Sequence, residues 1–162
     1  MSESLYSTAI HESAHLVIAR VLGYPVFTVT LDDWIEGGGR VHIGTSSTTV
    51  EGCLHGMIIF LAAAAALRSF SLDPSPDEGD GSDTDKVRAL ARKIVGLRAG
   101  EEEIQAVIIR AAAAAGILVE QHRAEVERVS LAILEFHAAC LRIKIPDPKE
   151  LEKLFAPDGG EQ

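Results

Sequence analysis

With 162 residues, 47% hydrophobic and 24% charged, the chain has the size and composition of one ordinary domain with a buried core, which excludes disorder as its default state. A formal net charge of -9 excludes a sequence-independent grip on nucleic acid, which needs clustered Lys and Arg against phosphates. Residues 1–156 read as a single domain and 157–162 as a polar tail.

The start, Met1-Ser2-Glu3-Ser4, has no positive region followed by an apolar one, so neither a secretory signal nor a transit peptide is expected and the cytoplasm is the simplest location. Leu5, Ala9, Ile10, Leu16, Val17, Ala19 and Val21 recur at helical spacing before Gly23, which predicts a helix over about 4–22. Pro25–Leu31 is β-branched and alternating, and Arg40–Gly44 follows a turn rich in Asp and Gly, which predicts a hairpin or two adjacent strands.

From about Thr49 to Phe70 the chain is helical again and apolar on nearly every side, the mark of a helix inside a core. Its most apolar run, Met57–Leu67, is shorter than the roughly 20 residues a bilayer span needs, so no membrane insertion is expected. Ser71–Asp85 reads as an acidic loop with Asp73, Asp77, Glu78, Asp80, Asp83 and Asp85. Ser82 or Asp83 is expected to cap a helix running to about Val95, broken by Gly96–Gly100.

A long helical region follows over about 101–142, opening on Glu101-Glu102-Glu103 where the helix dipole favours acids, with a kink expected near Gly116 or His122. Pro146 and Pro148 end it, and Asp147 caps a last short helix to about Phe155. The fold class expected is therefore mainly α with a small β hairpin or sheet. Cys53 and Cys140 are isolated and form no metal-binding pair, so both read as packed, reduced thiols.

One motif carries chemistry: His11-Glu12-Ser13-Ala14-His15, an HExxH pattern on the first helix. Positions i and i+4 share a helix face, so both imidazoles can reach one metal ion, with zinc the expected cofactor. Glu12 falls on the flank, where its carboxylate can take a proton from a water beside the metal and return it to a leaving amine. A shuffled chain of this composition would carry only about 0.02 such motifs, and apolar Ile10, Leu16 and Val17 give the helix a buried setting.

A catalytic zinc needs a third protein ligand and an open fourth position. Val21 stands where metzincins repeat a histidine, so a nearby third His is absent. Glu36 lies near the spacing of a thermolysin-like ligand, but Trp34–Gly39 reads as a turn. Asp83 or Asp85, at the start of a capped helix, is the better source.

These residues resemble the peptidase domain of the FtsH-type ATP-dependent metalloproteases. Thr8–Val17 is similar to that family's helix ending in HEAGHA, with Ala14 in place of Gly, and Gly23–Leu31 to its PVxKVTI strand. Gly81–Arg92 resembles the GASND segment and the following helix ending in LAR, Arg110–Arg123 the RAxxIL…HR run, Ile133-Leu134-Glu135 the LLE, and Pro148–Leu154 the closing helix. The resemblance implies a mainly helical zincin fold in which His11, His15 and Asp83 hold zinc and Glu12 is the general base. The chain departs from the family where an LGGRAAE-like helix is replaced by Leu61–Arg68 and where the loop before Asp83 is more acidic. Nothing precedes Ser2 that could be the family's transmembrane or ATPase module, so an ATP-independent peptidase acting on peptides or unfolded protein segments is expected. The alternative is a zinc-containing peptide-binding or regulatory module with little catalysis, working with a separate ATPase. A homo-oligomer is compatible with either reading.

Among the remaining residues, His42 reads as a hydrogen-bonded strand residue, and His55, His122 and His137 as structural. Gly38–Ile43 reads as an edge that pairs with an extended substrate, and Trp34 as a turn residue with a packing or contact role.

Overall fold

The computed structural model describes the backbone of residues 3–32, 38–44, 48–72, 81–96, 98–140, 143–145 and 155, and the side chains of these other than 3, 4, 27–32, 38–40, 42, 81, 82, 137–140 and 143–145. The elements follow in the order α1 (Glu3–Val21), β1 (Val26–Asp32), β2 (Gly38–Ile43), α2 (Val50–Ser69), α3 (Gly81–Val95), α4 (Glu101–Gln121), α5 (Arg123–Cys140) and β3 (Ile143–Ile145). The chain is mainly helical, as its 3.6-residue periodicity indicates.

α1 stops where Gly23 takes φ 81°, a backbone state that disfavours any side chain. The Gly23 N–H then reaches the Arg20 carbonyl and the Tyr24 N–H the Ala19 carbonyl, both at 2.9 Å, which satisfies the last turn and throws the chain into β1. β1 is the middle strand of an antiparallel sheet of order β2-β1-β3, which leaves β2 as an edge strand among the described residues. β3 follows directly on the expected end of the long helical region, in a stretch for which the sequence suggested no strand. Three residues have no readable period, and Ile143–Ile145 is a strand because it pairs with Val29, Thr30 and Leu31 of β1.

α2 is the central helix, lying against α1, α3 and α4, while α5 packs on α1. Thr49 opens α2 by accepting the Gly52 N–H on its Oγ1 at 3.0 Å. Met57, Ile59, Ala62 and Ala66 of α2 are fully buried, as are Ala111, Ala115 and Val119 of α4. Small side chains on both helices allow the close approach that their Ala-rich sequences imply. By length and composition alone α2 is long and apolar enough to span a bilayer, a test that a helix buried in a protein core passes as well. Its buried residues face protein, and its apolar character on all sides follows from having helices around it.

One boundary differs from the sequence reading, and one break falls at the second of the two places expected for it. α3 begins at Gly81, so Asp83 lies inside the first turn, where the dipole favours an acid, and does not act as the cap. The helical stretch from Glu101 is divided at His122 and continues unbroken through Gly116. One glycine inside a helix costs only about 1 kcal/mol, too little to break it. At His122 the ring Nδ1 meets the Glu125 carboxylate at 3.3 Å and the carbonyl accepts the Val126 N–H at 3.0 Å, so the residue ending α4 also caps α5. The expected short helix over 147–155 and the polar tail lie outside the described residues except for Phe155. Its ring packs under the Arg20 guanidinium at 4.1 Å, and its carbonyl accepts from Arg128 at 3.4 Å.

Ser13, inside the HExxH motif, is fully buried, and its Oγ has no hydrogen-bond partner among the described residues. A buried hydroxyl in that state carries a desolvation penalty of about 1–3 kcal/mol. Ser13→Ala removes the hydroxyl and raises helix propensity, so it is expected to raise Tm by about 2–4 °C per kcal/mol recovered. Thermal unfolding checks this, and a lower Tm for the variant would show that the hydroxyl is satisfied.

Candidate metal centre

Two elements build the site. α1 carries His11 and His15 one turn apart on the face that meets α2 and α3, and α3 brings Asp83 from the far end of the acidic segment. α3 approaches closely because α2 has Gly56 opposite it: a Cβ there would stand 3.0 Å from the Leu90 side chain. That glycine helps set the depth at which the first turn of α3 meets the histidines.

His15 Nε2 lies 3.1 Å from His11 Nε2 and 3.0 Å from Asp83 Oδ2, and His11 Nε2 lies 3.7 Å from the same oxygen. Donor atoms bound tetrahedrally at about 2.0–2.1 Å are separated by about 3.3 Å. The three atoms therefore match one face of a zinc-sized tetrahedron. The side chains of His11, His15 and Asp83 retain 15%, 7% and 17% exposure, so the cluster is sunk in the surface yet reached by solvent.

Protons on the rings narrow the chemistry further. His15 Nδ1 is 2.8 Å from the Ile59 carbonyl oxygen of α2, which can only accept, so Nδ1 carries the hydrogen. In the neutral ring Nε2 then bears a lone pair, and that lone pair faces a carboxylate oxygen at 3.0 Å. Two acceptors at that distance require a cation between them, either a proton or a metal ion. The donor set of two imidazole nitrogens and one carboxylate oxygen suits zinc.

Burial works to raise the Asp83 carboxyl, but hydrogen bonds to His11 and His15, positive charge at His15 and the Lys86 ammonium outweigh it and hold the carboxyl well below the usual carboxylate range. Asp83 is thus an anion at neutral pH, as a ligand must be. Lys86 Nζ bonds the second oxygen, Oδ1, at 2.9 Å. The same ammonium lies 4.9 Å from the centroid of Phe60, whose ring meets His15 edge-on at 6.2 Å.

Glu12 is buried, at 4% exposure, on the same helix. At about 100° per residue it projects some 60° around the axis from His15, on the flank of the metal-facing surface. Asp85, the rival to Asp83, is exposed and stands apart from the cluster. Glu36, Trp34 and the acids Asp73, Asp77, Glu78 and Asp80 lie outside the described residues, as do the side chains of His42, His137 and Cys140. His55 bonds the Tyr24 hydroxyl at 3.0 Å, and Cys53 is a buried thiol.

Sequence reasoning missed Ile59, Phe60 and Lys86. A carbonyl such as that of Ile59 leaves no trace in residue type, but Lys86, at i+3 from Asp83 on a helix, carries a spacing that could have been read. The group of His11, His15 and Asp83 could hold a metal ion. No family model matches the chain, and no match is found among curated proteins.

Proposed function

We propose that the chain is an ATP-independent zinc metallopeptidase with the fold of an FtsH-type peptidase domain, acting on flexible peptides or unfolded protein segments. The observation that carries this reading is the convergence of His11 Nε2, His15 Nε2 and Asp83 Oδ2 on one point, with Glu12 buried on the helix that carries both histidines. It gives the HExxH motif a third donor from a distant helix, in the segment that resembles the FtsH-type GASND sequence.

Zinc, when bound, supplies the Lewis acidity that makes water a nucleophile near neutral pH and polarises a scissile carbonyl. His11, His15 and Asp83 hold it, and the Ile59 carbonyl keeps the His15 ring in the tautomer whose Nε2 is unprotonated. Glu12 accepts the proton of the attacking water and passes it to the amine that leaves. The edge strand β2 offers main-chain groups with which an extended substrate can pair, a binding mode that tolerates many sequences.

Incubating the zinc-loaded protein with an unfolded, fluorescently labelled casein in the absence of ATP is expected to release peptides. A chelator should stop the release and added zinc restore it. A folded, zinc-bound protein that leaves the casein intact would overturn the peptidase reading and favour a peptide-binding module.

A further inference from the structure

Asp83 has two oxygens, and the structure treats them differently. Oδ2 faces the histidine nitrogens at 3.0 and 3.7 Å, while Oδ1 is engaged by Lys86 Nζ at 2.9 Å. Lys86 is placed for this by its position one turn further along α3 and by the Phe60 ring, over which its ammonium sits at 4.9 Å. The ring in turn abuts His15, so ligand, ammonium and aromatic face form one packed group.

We propose that Lys86 is a positioning residue that makes Asp83 a one-oxygen ligand and thereby fixes the metal preference of the centre; this rests on the metal-centre reading given above. With Oδ1 occupied, the protein supplies three donor atoms, which suits an ion content with four-coordination, as zinc is. With Oδ1 released, the carboxylate can close on the ion through both oxygens, and the centre then accommodates ions that prefer more oxygen donors, such as manganese. The ammonium also repels any cation in the site, so total affinity is a poor measure of its role. That repulsion acts alike on two divalent ions and cancels in the ratio of their dissociation constants.

The test is a competition titration of purified wild type, Lys86→Met, Lys86→Leu and Lys86→Arg with zinc and with manganese, together with the visible spectrum of each protein loaded with cobalt. About half of the Lys86 side chain is exposed, so the variants are expected to fold, and far-UV circular dichroism establishes that they do. In Lys86→Met and Lys86→Leu the preference for zinc over manganese is expected to fall by about 10-fold or more, the scale on which outer partners act. The cobalt bands should weaken and shift as the coordination number rises. Lys86→Arg, which keeps a donor for Oδ1, should retain the wild-type ratio and spectrum. Unchanged ratio and spectrum in both apolar variants would overturn the role of Lys86 while leaving the metal centre standing. Failure of folded wild type to bind either ion would overturn both.

Discussion

Glu12→Gln is expected to lower peptide hydrolysis by about 10²–10⁴-fold while leaving one zinc bound per chain. The substitution keeps the size of the side chain and its place on α1, and it leaves His11, His15 and Asp83 untouched. What it removes is basicity. An amide cannot take a proton from water, so the step that generates the nucleophile loses its acceptor and the leaving amine loses its donor. Glu12 is nearly inaccessible, so the Tm of the variant is measured beside its activity to separate loss of the base from loss of the fold. Steady-state kinetics beside zinc analysis of the same preparation checks both halves. Turnover equal to wild type would remove Glu12 from the mechanism, and loss of zinc with loss of turnover would make it a structural residue.

How much of this site was legible from sequence depends on how local each feature is. The His11–Glu12–His15 arrangement follows from helical spacing within five residues, so composition and periodicity were enough to find it. The third donor was harder because Asp83 and Asp85 have the same chemistry and sit two residues apart. Two positions on a helix point about 200° away from each other, so the rotation of α3 about its own axis decides between them. That rotation is set by Val87, Leu90 and Ala91, which are buried, and by the approach at Gly56. It cannot be read from the acidic segment alone.

The fold shows the same division. Long periodic helices and the glycine stop at Gly23 were evident, whereas β3 exists only through a partner more than a hundred residues away. The break in the C-terminal helices also depended on context. Gly116 was the weaker helix former, yet the chain turns at His122, where the carbonyl and ring find partners in the first turn of α5 and where α5 is directed onto α1.

Zinc is expected to raise the Tm of the wild-type protein by about 8–16 °C, and Asp83→Ala to abolish most of that gain. An ion present at about 1,000 times its dissociation constant adds about 4 kcal/mol to the folded state, and each kcal/mol is about 2–4 °C for a chain of this size. Removing Asp83 leaves two imidazoles, which cannot hold the ion as three donors do, and affinity should fall by more than the 10–100-fold that outer partners carry. Without metal the same substitution also removes the Asp83 contacts with His15, His11 and Lys86, so the zinc-dependent gain of each protein is read against its own metal-free Tm. The Asp85→Ala protein is the discriminating control. Asp85 is exposed and outside the cluster, so its removal should leave the zinc-dependent gain intact. If instead Asp85→Ala loses the gain and Asp83→Ala keeps it, α3 must present a different face to the histidines from the one that places Asp83 Oδ2 3.0 Å from His15.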